Sequence, residues 1–177
     1  LSFCILSRRS VDDMISSGES MIDVASELKK RGASRVFCAT TFGLFTNGFK
    51  KFDEAYENGI SIIGILGYGS TTFMGSDSKI STEEELQHFL KFVNDFATRY
   101  KGKINYYEYW NEPNTILNTN EEVYWYVRTV KELYPLLKSI DSNIKLTIGA
   151  MRTDGAASNT FKTSNEIFDM FYENNLD

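Results

Sequence analysis

A chain of 177 residues can bury one domain-sized core, and 42% hydrophobic against 24% charged residues is an ordinary globular balance, not that of a disordered or fibrous chain. A formal net charge of −5 and a sequence pI near 5.0 argue against nucleic-acid or anionic-membrane partners, which call for a basic face. No apolar run approaches the roughly 20 residues of a membrane-spanning helix, and Leu1 to Leu6 is shorter than the roughly 7–15 residue apolar core of a secretion signal. The chain therefore reads as a mature protein or a piece of something longer, with its compartment left open.

Ser2 to Ser7 is the first expected strand, followed by a polar stretch from Arg8 to Glu19. From Ser20 the period turns helical: Met21, Val24, Ala25 and Leu28 share a face, Lys29 to Arg31 suit the negative end of the helix dipole, and Gly32 marks the stop. Arg35 to Thr40 is the second strand, and Phe49, Phe52, Ala55 and Tyr56 mark a short helix ending at Asn58-Gly59. Ile60 to Leu66 is an almost continuous apolar run, as in a strand covered on both faces. The glycines of Gly67-Tyr68-Gly69-Ser70 match neither phosphate-binding loop pattern.

Ser81 with Glu84 offers a capping box for a helix carrying Leu86, Phe89, Leu90, Val93, Phe96, Ala97 and Tyr100. His88 falls off that stripe and is expected to face solvent, without a role. Ile104 to Trp110 is the fourth strand. Thr119 with Glu122 opens a long helix from about Asn120 to Ile140, which Pro135 should kink or break near Leu133. Ile144 to Ala150 is the fifth strand, Arg152 to Ser164 a polar loop, and Ile167, Phe168 and Phe171 a last helix.

Strands and helices alternate, no domain boundary is visible, and residues 1–177 read as a single α/β domain with parallel strands and right-handed crossovers. Two architectures satisfy that pattern, an open doubly wound sheet and part of a (β/α)8 barrel. The missing dinucleotide fingerprint weakens the first, and five units fall short of the eight of the second. Two cysteines, Cys4 and Cys38, lie in apolar strand-like runs and read as buried thiols, and one histidine is too few for a zinc site. No metal or cofactor is expected.

The stretch that carries chemistry is Tyr106-Tyr107-Glu108-Tyr109-Trp110-Asn111-Glu112-Pro113-Asn114. An aromatic strand ends abruptly in a turn that holds a carboxylate beside an amide, which is what acid/base work on a sugar needs. This motif resembles the acid/base segment of the clan A retaining glycoside hydrolases, which are (β/α)8 barrels. It looks most like the β-xylosidase and α-L-iduronidase family, glycoside hydrolase family 39. Arg99-Tyr100-Lys101-Gly102, Gly59-Ile60 and Ile65 to Gly69 look similar as well, so the resemblance covers about Ser20 to Asp177. It implies a partial barrel of about the first five β/α units, acting on a carbohydrate.

By the same resemblance Glu112 is the catalytic acid/base and Asn111 binds the sugar 2-hydroxyl, while Trp110 and Tyr68 shape or line the cleft. The clan's nucleophile is a Glu ending the seventh strand, so it is expected outside this chain, in a missing C-terminal half-barrel. Phe37 stands where the family usually carries an Arg, with Arg35 two residues earlier. That departure keeps open a non-catalytic carbohydrate-binding barrel fragment or pseudoenzyme, and a third reading is an unrelated α/β domain. Glu108 shares the side-chain parity of Glu112, but four extended residues span about 13 Å. A retaining pair needs about 5–5.5 Å, which makes Glu108 a buried structural carboxylate with Arg35 as the expected partner.

Overall fold

A computed structural model describes residues 7–12, 19–40, 50–57, 59, 61–67, 79–152 and 162–176. Strands β1 (Ser7–Asp12), β2 (Arg35–Thr40), β3 (Ser61–Leu66), β4 (Tyr106–Tyr109) and β5 (Lys145–Thr147) alternate with helices α1 (Glu19–Lys30), α2 (Lys50–Glu57), α3 (Glu83–Arg99), α4 (Asn120–Ile140) and α5 (Ser164–Glu173). β1, β2 and β3 form a parallel sheet, with Ser7 opposite Arg35 and Phe37 opposite Ser61. The fold is mixed α/β with parallel pairing, as the alternating pattern requires.

Contacts divide the chain into two compact units, Leu1–Ile65 with Gly102–Tyr107, and Leu66–Lys101 with Glu108–Asp177. In the first, α1 lies against β1 and β2, and Ala25, Val36, Ala55, Ile62, Ile104 and Tyr107 are buried. Val24, expected on the inner face of α1, is instead 49% exposed, and Ala25 fills the buried position. Tyr56 is exposed too, with the Lys103 ammonium 6.0 Å from its ring centre. The first strand is also displaced. The expected Ser2–Ser7 lies outside the described residues except for Ser7, and β1 runs through the polar Ser-Arg-Arg-Ser-Val-Asp sequence. Backbone pairing with β2 across six residue pairs sets that strand, and it does not need an apolar side-chain pattern.

The second unit is built on α3, α4 and α5. Leu86, Phe89, Val93 and Ala97 bury one stripe of α3, and Val123, Tyr126, Val127, Val130, Leu133 and Leu137 one stripe of α4, so each helix turns the same face inward at every turn. The N-cap of α3 is Thr82, one residue beyond the expected Ser81; its hydroxyl accepts from Glu85 N–H while the Glu85 carboxylate accepts from Ser81 N–H and Oγ. Both Ser81/Glu84 and Thr82/Glu85 fit the capping pattern, so the pattern alone does not choose between them. The Thr119/Glu122 box is present with both its bonds. Pro135 does not break α4, which is helical from Asn120 to Ile140. A second full capping box, Thr163 with Glu166, starts α5.

A line of rings ties these elements together. Phe89 lies 5.6 Å from Tyr109, Tyr109 4.8 Å from Tyr126, and Tyr126 is stacked on Phe171 at 5.2 Å. Each such pair contributes about 0.5–1.5 kcal/mol beyond the area it buries. Because Tyr109 sends its ring towards α3 and α4, strand alternation places Tyr106 and Glu108 on the opposite face of β4.

Candidate active site

β4 ends at Tyr109, one residue earlier than the expected Trp110, because the backbone leaves the extended region there. Trp110 and Glu112 both take left-handed conformations, φ 61° and 51°. Such conformations cost non-glycine residues about 1–2 kcal/mol each and persist only where neighbouring contacts over-determine them. The contacts are present on both sides. Trp110 N–H donates to Leu66 C=O at 2.9 Å, at the end of β3, and Glu112 N–H donates to Ala150 C=O at 2.9 Å, just past β5. A short 3-10 turn, Pro113–Thr115, follows, with Thr115 N–H and Oγ1 both donating to Glu112 C=O.

Gly149 makes the closest approach. A Cβ there would meet Trp110 O at 2.8 Å and Pro113 Cδ at 2.9 Å, and its φ of +86° belongs to glycine. Glycine at 149 is therefore what lets the β5 exit lie directly on the turn carrying Glu112. Trp110 itself is buried at 4% exposure, with its ring over Gly67. Asn111 and Glu112 are half-buried, and no hydrogen bond or ion pair from the described residues engages either side chain. Tyr68 lies outside the described residues, as does Cys4; Cys38 is placed by its backbone, opposite Ser10 and Ile62.

Glu108 differs from expectation in two ways. It is half-buried, and its partner is a backbone amide: Ala150 N–H donates to Glu108 Oε1 at 2.9 Å. Arg35, the expected partner, is exposed at the start of β2. The span of about 13 Å between residues 108 and 112 also assumed a straight strand. With Trp110 and Glu112 left-handed the segment is not extended, and Ala150 bonds both the Glu108 carboxylate and the Glu112 amide.

Two groups missed by sequence reasoning complete the site. The Tyr126 hydroxyl, on α4, bonds the carbonyls of Tyr109 (3.1 Å) and Ile148. Burial, helped by the neighbouring Tyr109 and Glu108, pushes this hydroxyl well above the ordinary tyrosine pKa, which keeps it a donor. The buried Asn114 side chain accepts from Arg152 N–H at 2.9 Å and donates to the carbonyls of Arg152 (2.9 Å) and Lys162 (3.1 Å). Among the described residues no three His, Cys, Asp or Glu side chains group as a metal site, and no helix is long and apolar enough to cross a membrane.

No family model matches the chain, and no curated protein does. Among solved structures it is similar to a family 39 glycoside hydrolase from the gut symbiont Bacteroides cellulosilyticus WH2, with a TM-score of 0.54 and 15% sequence identity. The likeness covers 78% of this chain and 31% of that one, so this chain spans about a third of the enzyme it matches. At that identity the likeness is one of fold: this α/β chain resembles part of a glycoside hydrolase.

Proposed function

We propose that this chain is the N-terminal part of a retaining glycoside hydrolase, a single incomplete (β/α)8 barrel of the family 39 type. Its substrate is a carbohydrate, and Glu112 is the general acid/base. In the first step the Glu112 carboxyl gives its proton to the glycosidic oxygen as that oxygen leaves the anomeric carbon, and a second carboxylate attacks the same carbon. In the second step Glu112, now ionised, takes a proton from water, whose oxygen displaces the second carboxylate. Asn111 binds the 2-hydroxyl beside the nucleophile, and Trp110 and Tyr68 shape the cleft. The nucleophile, by the same resemblance a Glu ending a seventh strand, belongs to the C-terminal half-barrel, and Glu108, whose Oε1 accepts from Ala150 N–H, is assigned a structural role.

The observation that supports this reading most is the Glu112 turn. Its backbone is strained and bonded on both sides, while its half-buried carboxylate is engaged by none of the described residues. A fixed backbone carrying an uncommitted carboxylate is what a proton donor to an outside group requires. The likeness in fold to part of a glycoside hydrolase is in keeping with that reaction class. The test is the anomer first released when the complete protein hydrolyses an aryl β-xyloside, followed by proton NMR. Retention of configuration is expected; inversion would refute the two-carboxylate mechanism.

A further inference from the structure

β5 ends at Thr147, yet its hydrogen bonding does not. Beyond it, five backbone groups have partners: Ile148 C=O takes the Tyr126 hydroxyl, Ala150 N–H and C=O take Glu108 Oε1 and Glu112 N–H, and Arg152 N–H and C=O take the two ends of the Asn114 amide. In a regular sheet these partners would be the backbone of the neighbouring strand. β4 cannot supply them, because its chain turns away at Trp110. Two side chains on either side of that turn stand in: Glu108, the carboxylate before it, and Asn114, the amide after it.

We infer that Glu108 and Asn114 are positioning residues for Glu112. Glu108 fastens Ala150 N–H, and Ala150 C=O in turn holds Glu112 N–H, so the Glu108 carboxylate acts on Glu112 through one intervening residue. Asn114 fastens both Arg152 and Lys162, the two feet of the β5–α5 connection. The chemistry assigns each side chain its type. Position 108 needs an acceptor of that length but does not require its charge, so Gln can replace Glu and the shorter Asp cannot. Position 114 needs an acceptor and a donor together, so Asp, which would set a negative oxygen against two carbonyls, cannot replace Asn. The bearing of this clamp on catalysis rests on the reading of Glu112 as the acid; the clamp itself does not.

The test is amide hydrogen exchange by NMR on the complete protein, with the core amide of Val93 in α3 as the reference for global opening. In Glu108→Ala and Glu108→Asp, exchange at Ala150 and Glu112 should accelerate about tenfold or more relative to Val93, the scale of one lost hydrogen bond to a charged group. Glu108→Gln should remain within about threefold of wild type, since a neutral bond to the same amide keeps most of that protection. Asn114→Asp should accelerate Arg152 as Asn114→Ala does. Should the alanine variants fail to fold, the Asp and Gln variants carry the comparison. Unchanged exchange at Ala150 and Glu112 in Glu108→Asp would overturn the inference, and so would Gln exchanging faster than Asp. Because exchange needs no sugar, this test and the test of retained configuration fail independently.

Discussion

Gly149→Ala isolates the close packing that holds the Glu112 turn. An alanine at φ +86° carries the left-handed penalty, about 1–2 kcal/mol. Its methyl would also sit 2.8 Å from Trp110 O, 2.9 Å from Pro113 Cδ and 3.2 Å from Tyr109 O. Two of the three are backbone oxygens that cannot rotate away, so relief means moving the turn, and overpacking of this kind costs about 1–3 kcal/mol. The sum is about 2–5 kcal/mol. Gly102→Ala is the matched control: its φ is +75°, but no heavy atom lies within 4 Å of the added carbon, leaving about 1–2 kcal/mol. Urea unfolding followed by tryptophan fluorescence, which reads Trp110 and Trp125, measures both variants. With an m-value of about 2 kcal/mol per molar, the Gly149→Ala midpoint should fall by about 1–2.5 M, clearly further than that of Gly102→Ala. Equal midpoints for the two variants would show that the β5 exit does not press on the turn.

Tyr126→Phe removes the donor shared by Tyr109 and Ile148 while keeping the ring stacked on Phe171, and should cost about 1–2 kcal/mol in the same unfolding assay. Glu122 gives a pH-dependent effect. Burial would raise its pKa, but Lys79 and the amides of Asn118 and Thr119 outweigh that and hold it below the ordinary value of 4.5. Its folded pKa is thus depressed, so its stabilisation is complete above pH 4.5 and lost as pH falls through the folded value. Glu122→Gln should therefore destabilise at pH 7 and converge on wild type in acid; a constant gap at all pH values would contradict the pairing. The 177-residue chain alone should hydrolyse no aryl xyloside, because five strands do not close an eight-stranded barrel. As an incomplete barrel the chain should also self-associate in sizing chromatography, and a sharp monomer peak at high concentration would count against open strand edges.

The alternation of elements was legible in the sequence because each helix carries its own periodicity and punctuation. Thr119/Glu122 fixes the start of α4, and the apolar run to Leu66 marks β3. β1 was not legible, since the pairing of Ser7–Asp12 with β2 is a backbone matter and its side chains are mostly polar. Glu112 stands out as an acid in a Pro turn after an aromatic strand, yet its setting could not be read. The left-handed turn at Trp110 depends on contacts with Leu66 and Ala150, residues 44 and 38 positions from Trp110 and Glu112. Parity reasoning carried an extended strand through to Glu112, whereas Trp110 and Glu112 are left-handed and the Glu108 carboxylate accepts from Ala150 N–H. A glycine at the end of β5 and a second Asn after the proline were the available signals for the clamp, but neither names its partner without the fold.

The most direct test of the account is the leaving-group dependence of Glu112→Gln in the complete protein. Gln cannot protonate the departing oxygen, so hydrolysis of a xyloside with a poor leaving group should fall about 10²–10⁴-fold, the usual contribution of a general acid. A dinitrophenyl xyloside, whose leaving group needs little protonation, should lose far less in its first step. Equal losses for both substrates, or undiminished hydrolysis of the poor one, would show that Glu112 is not the acid.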